Sequence, residues 1–160
     1  MYHGKSTPLR IAVLSDTHDI LRPQVKEILR SCDAAIHAGD VTTEEVMDEM
    51  RKLTNIYVVR GNNDYHLSYL RQTLSCSIAG ISFLAVHDRR NAGRNLDNAQ
   101  VVIFGHTHRY SQEVIGGRLW LNPGSCGRRR FSGELTMAVL TAEEGKILNL
   151  EKIEISEDEL

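Results

Sequence analysis

The chain has 160 residues, 41% hydrophobic and 25% charged, with a formal net charge of −2; this length fits one domain that can bury a core without staples. So small a charge gives no global field for nucleic acid or an anionic membrane. The 3 cysteines, Cys32, Cys76 and Cys126, are odd in number and widely spaced, which excludes a disulfide framework or a Cys-x-x-Cys metal knuckle and suits a reducing cytosol. No apolar run approaches the roughly 20 residues that cross a bilayer, and Met1 to Pro8 lacks the apolar stretch of a signal peptide. A cytoplasmic protein is expected, with one domain over residues 9–155 and flexible termini at 1–8 and 156–160.

The first half alternates strand and helix. Arg10 to Ser15 reads as a buried strand. Pro23 to Arg30 carries Val25, Ile28 and Leu29 at helical spacing, with proline in the first turn. Ala34 to Ala38 is a second strand; Thr42 or Thr43 caps a helix through Leu53 that turns Val46, Met50 and Leu53 inward. Ile56 to Val59 is a third strand. Such alternation predicts a parallel sheet with right-handed crossovers.

The second half is strand-rich. Ser75 to Ile78 and Ile81 to Val86 flank Ala79-Gly80 as a hairpin, and Val101 to Phe104 is a bare apolar strand. Val114-Ile115 and Leu119 to Leu121 flank Gly116-Gly117, a second hairpin. Thr136 to Leu140 and Ile147 to Ile155 follow. The predicted fold is α/β, a four-layer α/β/β/α sandwich of two mixed sheets with helices outside.

Each strand ends in chemistry. The first runs into Asp16-Thr17-His18, the second into Gly39-Asp40, the third into Gly61-Asn62-Asn63-Asp64. A later strand ends in His87-Asp88, and the next in Gly105-His106-Thr107-His108. Singly, each is an ordinary turn or a satisfied histidine. Ligands of open α/β sheets bind outside the carboxyl ends of the strands, and five strands deliver Asp, Asn or His to that edge. This is a metal-site inventory.

The ordered set Asp16-x-His18, Gly39-Asp40, Gly61-Asn62, His87 and Gly105-His106-x-His108 resembles the calcineurin-like metallophosphoesterase superfamily. Size, His37-x-Gly39-Asp40 and Asn122-Pro123-Gly124-Ser125 resemble its compact bacterial and archaeal phosphodiesterase branch. The resemblance implies one metal held by Asp16, His18, Asp40 and His108, and another held by Asp40, Asn62, His87 and His106, with Asp40 bridging. It implies a phosphoesterase, above all a phosphodiesterase, whose nucleophile is a hydroxide held by Asp40 and both metals. Asp, Asn and neutral imidazole suit manganese, iron, zinc or nickel; two divalent ions are expected, manganese foremost, with nickel, iron, zinc or magnesium as alternatives.

Around this set, His37 is expected to pack beneath the site and Asp64 to orient a ligand histidine. Ser125 is placed to touch substrate or support the metal loops. Arg128 to Arg130, with Arg130 foremost, and Arg89, Arg90 and Arg94 are either solvated faces or anchors for an anionic group. Asn63 stands where larger relatives of the resembled family carry a proton-donating His. His87 is followed by Asp88 where glycine is usual, and the short spacing from His87 to His106 implies a reduced helix between them. The expected partner is a small-molecule phosphoester, with no membrane and no nucleic acid; the oligomeric state, including a homo-oligomer, stays open. Two rival readings are a non-catalytic interaction scaffold of the same fold, similar to the phosphoesterase-like retromer subunit, and a nuclease.

Overall fold

The computed structural model describes residues 7–93, 96, 98–128 and 133–156. The chain runs β1 (Leu9–Leu14), α1 (Pro23–Arg30), β2 (Ala34–His37), α2 (Glu44–Leu53), β3 (Asn55–Val58), β4 (Thr73–Ile78), β5 (Ile81–Val86), β6 (Val101–Ile103), β7 (Tyr110–Ile115), β8 (Arg118–Pro123), β9 (Thr136–Glu143) and β10 (Lys146–Glu154). Pro23 opens α1, where its missing N–H costs nothing. Thr43 caps α2, its hydroxyl accepting the Val46 N–H at 3.3 Å. Among the described residues no helix is long and apolar enough to cross a membrane.

Two five-stranded sheets form, ordered β10-β9-β1-β2-β3 and β4-β5-β6-β8-β7. Both are mixed: β1-β2-β3 and β5-β6-β8 are parallel, and the outer strands pair antiparallel. Side chains alternate across β1, as the period of two requires. Ile11 and Val13 join Ile36, Phe83, Ile103 and Leu121 between the sheets. Ala12 and Leu14 face Val25, Leu29, Val46 and Met50 beneath the two helices.

The second sheet is covered more thinly. Its outer face meets a 3-10 turn, Arg89–Asn91, and the small groups Phe104, Ala92 and Val86, or Leu84, Val102 and Ala99. The reduced helix anticipated between His87 and His106 is thus a single turn among the described residues. Residues 1–6 and 157–160 of the anticipated flexible ends, and Arg94, Arg129 and Arg130, lie outside the described residues.

Candidate metal centre

The parallel strands β1, β2, β3, β5 and β6 end at the same edge, and their loops converge. Asp16 N–H donates to Gly39 O at 2.9 Å and His18 N–H to Asp40 O at 2.8 Å, which binds the first two loops together. His106 N–H reaches across from the second sheet to Asp16 Oδ2 at 3.2 Å. His87 donates its Nδ1–H to the Ala38 carbonyl at 2.7 Å. A neutral His87 ring therefore turns its Nε2 lone pair toward Asp40 Oδ2, 3.4 Å away, and Asp16 Oδ1, 3.9 Å away. His108 Nε2 lies 3.4 Å from Asp16 Oδ1.

Two clusters result, Asp16–His18–His108 and Asp16–Asp40–His87, each with its donor atoms within 4.8 Å of one another. The carboxylate common to both is Asp16; Asp40 belongs to the second. His106 packs edge-on against His87, ring centroids 5.2 Å apart, with its side chain 41% exposed. Asn62 is exposed at the rim and lines a cavity with His87 and His106.

Backbone strain concentrates here. Asp16, His18, Asp40, His106 and His108 all have φ between +52° and +72°, a region that costs non-glycine residues about 1–3 kcal/mol each. Close approach explains two of the glycines. A Cβ at Gly61 would strike the Asp40 carboxylate, and one at Gly105 the Ser15 hydroxyl and Asp16 carboxylate.

Buried support holds these loops. Ser15 Oγ donates to Asp16 Oδ2 at 2.7 Å. His37, fully buried, accepts the Gly39 N–H on Nδ1 at 3.0 Å, so its proton sits on Nε2, which meets Thr17 Oγ1 at 3.0 Å. That is the packing role anticipated for it. Asp64 differs from expectation. Among the described residues it bonds no histidine; Oδ2 accepts the Asp40 and Gly61 N–H groups at 2.9 and 2.7 Å, and Oδ1 that of Thr42 at 2.7 Å. A carboxylate satisfies three orphan amides at once because the turn after β3 lies against the turn after β2.

Ser125 is buried, and its hydroxyl donates to Asp16 O at 3.1 Å, so it braces the first loop instead of facing substrate. Asn63 donates its N–H to Asp40 Oδ1 and its amide N–H to Asp40 Oδ2, each at 2.9 Å. Arg128 is an exposed partner of Asp19 at 3.2 Å. Asn122 was not singled out by itself in the sequence. Its amide donates to Gly105 O and Thr107 Oγ1 at 3.2 and 3.0 Å, while Oδ1 accepts the Gly124 N–H at 2.9 Å. The Asn-Pro-Gly turn was its signal.

The electrostatics ask for a cation. Burial disfavours charge on Asp40, yet the His87 contact and charge and the two Asn63 donors hold its carboxyl well below the usual range. Burial likewise opposes a charged His87, but the Asp40 contact and the charges of Asp16 and Asp40 push its imidazole up to about 9. Asp16 Oδ1, His87 Nε2 and His108 Nδ1 are buried yet make no hydrogen bond of good geometry among the described residues. Buried polar atoms are normally paired. Asp16 Oδ1 and His87 Nε2, orphaned and 3.9 Å apart, fit a divalent ion. Cys126 is no rival donor, since burial pushes its thiol up to about 12.

Comparison with known proteins gives the same chemistry. A phosphodiesterase of Methanocaldococcus jannaschii is 28% identical over 159 residues, covering 85% of this chain and 95% of that one. A probable metallophosphoesterase of the same organism is 31% identical over 160 residues, 89% of this chain and 82% of that one. Vps29 of Entamoeba histolytica shares the fold, with a TM-score of 0.73 at 22% identity over 92% of this chain and 100% of that one. Residues 9–145 match the family model of the calcineurin-like phosphoesterase superfamily domain, and the chain belongs to that superfamily.

Proposed function

We propose that the chain hydrolyses a small-molecule phosphodiester at a pair of divalent cations held in the seam between its sheets. Family membership makes it a metal-dependent phosphoesterase. The observation that carries the two-metal reading is the pair of overlapping clusters on strained loops. In this reading Asp16, His18, Asp40 and His108 hold one ion, and Asp40, Asn62, His87 and His106 the other; the clusters support Asp16 with His18 and His108, and Asp40 with His87, while the sharing of Asp40 rests on the family pattern. Manganese is the ion we expect, with nickel, iron, zinc and magnesium as alternatives that the same oxygen and imidazole donors accept. When bound, such a pair supplies Lewis-acid stabilisation of phosphoryl oxygens and an acidified water near neutral pH.

The chain's own part is to position and to leave charge uncancelled. Asp16 and Asp40 bring two negative charges against four positive, and the surplus attracts an anionic phosphodiester. Asn63 holds both oxygens of Asp40 and has no proton to give at neutral pH. The Ser15 hydroxyl is committed to Asp16, which leaves no serine nucleophile there. His106 and Asn62, the exposed members, lie on the side where substrate enters.

The test is hydrolysis of bis(4-nitrophenyl) phosphate by chelator-stripped protein, with manganese restored in steps. Turnover should appear with manganese and saturate as a second equivalent binds. Full turnover without metal would overturn the reading. Tight binding of two ions with no phosphoester hydrolysed would favour the interaction scaffold.

A further inference from the structure

Two cavities adjoin at Asp88 and His106, and beyond those two residues they share no lining. One, of about 330 Å³, is lined by Arg60, Asn62, Tyr65, Gln72 and Asn91. The other, of about 440 Å³, is lined by Arg89, Arg90, Arg109, Phe104 and Thr107. The first balances the Arg60 guanidinium against the Asp88 carboxylate, so that it is neutral in sum, and offers the ring of Tyr65, 72% exposed. The second sets three guanidiniums against the single carboxylate of Asp88.

These arginines are mounted on the loops of the metal centre. Asp88 follows His87 and caps the 3-10 turn, its Oδ1 accepting the Arg90 N–H at 3.0 Å. Arg89 is fixed by Glu113 at 2.8 Å and lies over Phe104 and Trp120, 5.3 and 4.7 Å from the ring centroids. Arg90 grips Asp88 at 2.7 Å. Arg109 follows His108, and its N–H donates to Thr107 Oγ1 at 3.3 Å; Thr107 is in turn held by Asn122. Among the described residues Arg109 has no ion pair. Arg89 and Arg90 are each paired with a carboxylate whereas Arg109 is not, and its planar fork suits a phosphoryl group.

We propose that the second cavity is an anion subsite for one arm of the phosphodiester, an arm that carries a second phosphoryl group. Arg109 and Arg90 close on that group while the reacting phosphate lies at His106. The neutral cavity takes the other arm. The natural substrate class is therefore an asymmetric diester, with one arm anionic and one uncharged. This rests on the phosphodiesterase reading above.

Two chromogenic esters test it: the 4-nitrophenyl ester of thymidine 5′-phosphate, and the same molecule bearing a 3′-phosphate. They share the reacting phosphate and leaving group and differ by one phosphoryl group. With manganese, kcat/KM is expected to be about tenfold higher for the 3′-phosphorylated ester, the effect of one charged hydrogen-bonded contact. Arg109→Ala and Arg90→Ala should each bring the ratio towards one, and Arg109→Lys should retain part of it. Arg30→Ala, on α1, should leave the ratio unchanged. A ratio near one in the native protein, or one preserved in both alanine variants, overturns the subsite. If neither ester is hydrolysed, the phosphodiesterase reading fails and calorimetry decides the subsite separately. Thymidine 3′,5′-bisphosphate binding about tenfold tighter than thymidine 5′-phosphate, with the preference lost in Arg109→Ala, supports it; equal affinities overturn it.

Discussion

The two sheets bring different donors to their common edge. The first, through β1, β2 and β3, supplies the carboxylates of Asp16 and Asp40, the amide of Asn62 and one imidazole, His18. The second, through β5 and β6, supplies only imidazoles: His87, His106 and His108. The two carboxylates are buried in their loops, with Asp16 and Asp40 at 0% and 2% exposure. On the imidazole side His87 is buried and His108 nearly so, while His106 is 41% exposed where, among the described residues, a 3-10 turn is the helical cover. An ionised carboxylate can be held away from solvent only where hydrogen-bond donors and cations offset the loss of water. An imidazole tolerates a wet rim. In the function proposed above, the buried carboxylates, the floor of the site, hold the ions, and the exposed His106 and Asn62, its rim, meet the substrate.

This division can be broken by substitution on each side. Asp40→Asn removes charge from the buried floor and should lower kcat/KM for bis(4-nitrophenyl) phosphate by roughly a thousandfold, the upper range for loss of one transition-state electrostatic contact. His106→Ala, at the rim, should cost about tenfold to a hundredfold, as metal-supporting changes do. Equal losses at saturating manganese would end the distinction between floor and rim.

A second experiment sharpens the role of Asn63, which hydrogen-bonds both oxygens of Asp40. A positioned general acid contributes about a hundredfold or more, and this amide supplies none. Aryl diesters should therefore outrun alkyl diesters by at least about a hundredfold, and Asn63→His should narrow the gap. A flat dependence on leaving-group pKa, with chemistry rate-limiting, would place the proton donor elsewhere, with the exposed His66 the first candidate.

If the ions sit in the seam, they tie the sheets together. Manganese at a hundred times its dissociation constant should raise unfolding free energy by about 2.7 kcal/mol. The increment should vanish both in Asp40→Asn, from the first sheet, and in His87→Ala, from the second. Survival of the full increment in either variant would mean that one sheet suffices to bind the metal.

The smallest effect concerns His37 beneath the floor. Burial lowers its pKa from 6.5 to about 4, against the opposing pull of Asp64, Asp16 and Asp40. The unfolded chain therefore takes up a proton first as pH falls, and stability declines below pH 6.5 until the folded group titrates near 4. Between pH 6.5 and about 5.5 the loss should be about 1 kcal/mol. Denaturant unfolding of metal-free protein should show a flatter pH dependence in His37→Gln; an identical slope would remove His37 from the account.

Much of this was legible in the residues because it is local. Pro23 and Thr43 mark helix starts by their own chemistry, and Ala79-Gly80 and Gly116-Gly117 turn hairpins within two residues. The Gly-Asp, Gly-Asn and Gly-His pairs directly follow strands whose apolar runs are unmistakable. Resemblance across five motifs then carried the reaction class. What escaped is long-range. That Asp64 serves three amides, not a histidine, depends on two turns that pack side by side across 24 residues of chain. That Asp16 meets His106 depends on contact across 90 residues.

The amino-acid sequence by itself determined which groups stand at the strand ends, since periodicity and turn chemistry act over a few residues. Only the tertiary structure decided that Asp16 is common to both clusters, that His106 stays at the rim, and that Arg109 and Arg90 line one cavity. Those outcomes follow from how the two sheets pack and from the thin cover on the second. Such features are sums over contacts between distant segments, and no local pattern encodes them.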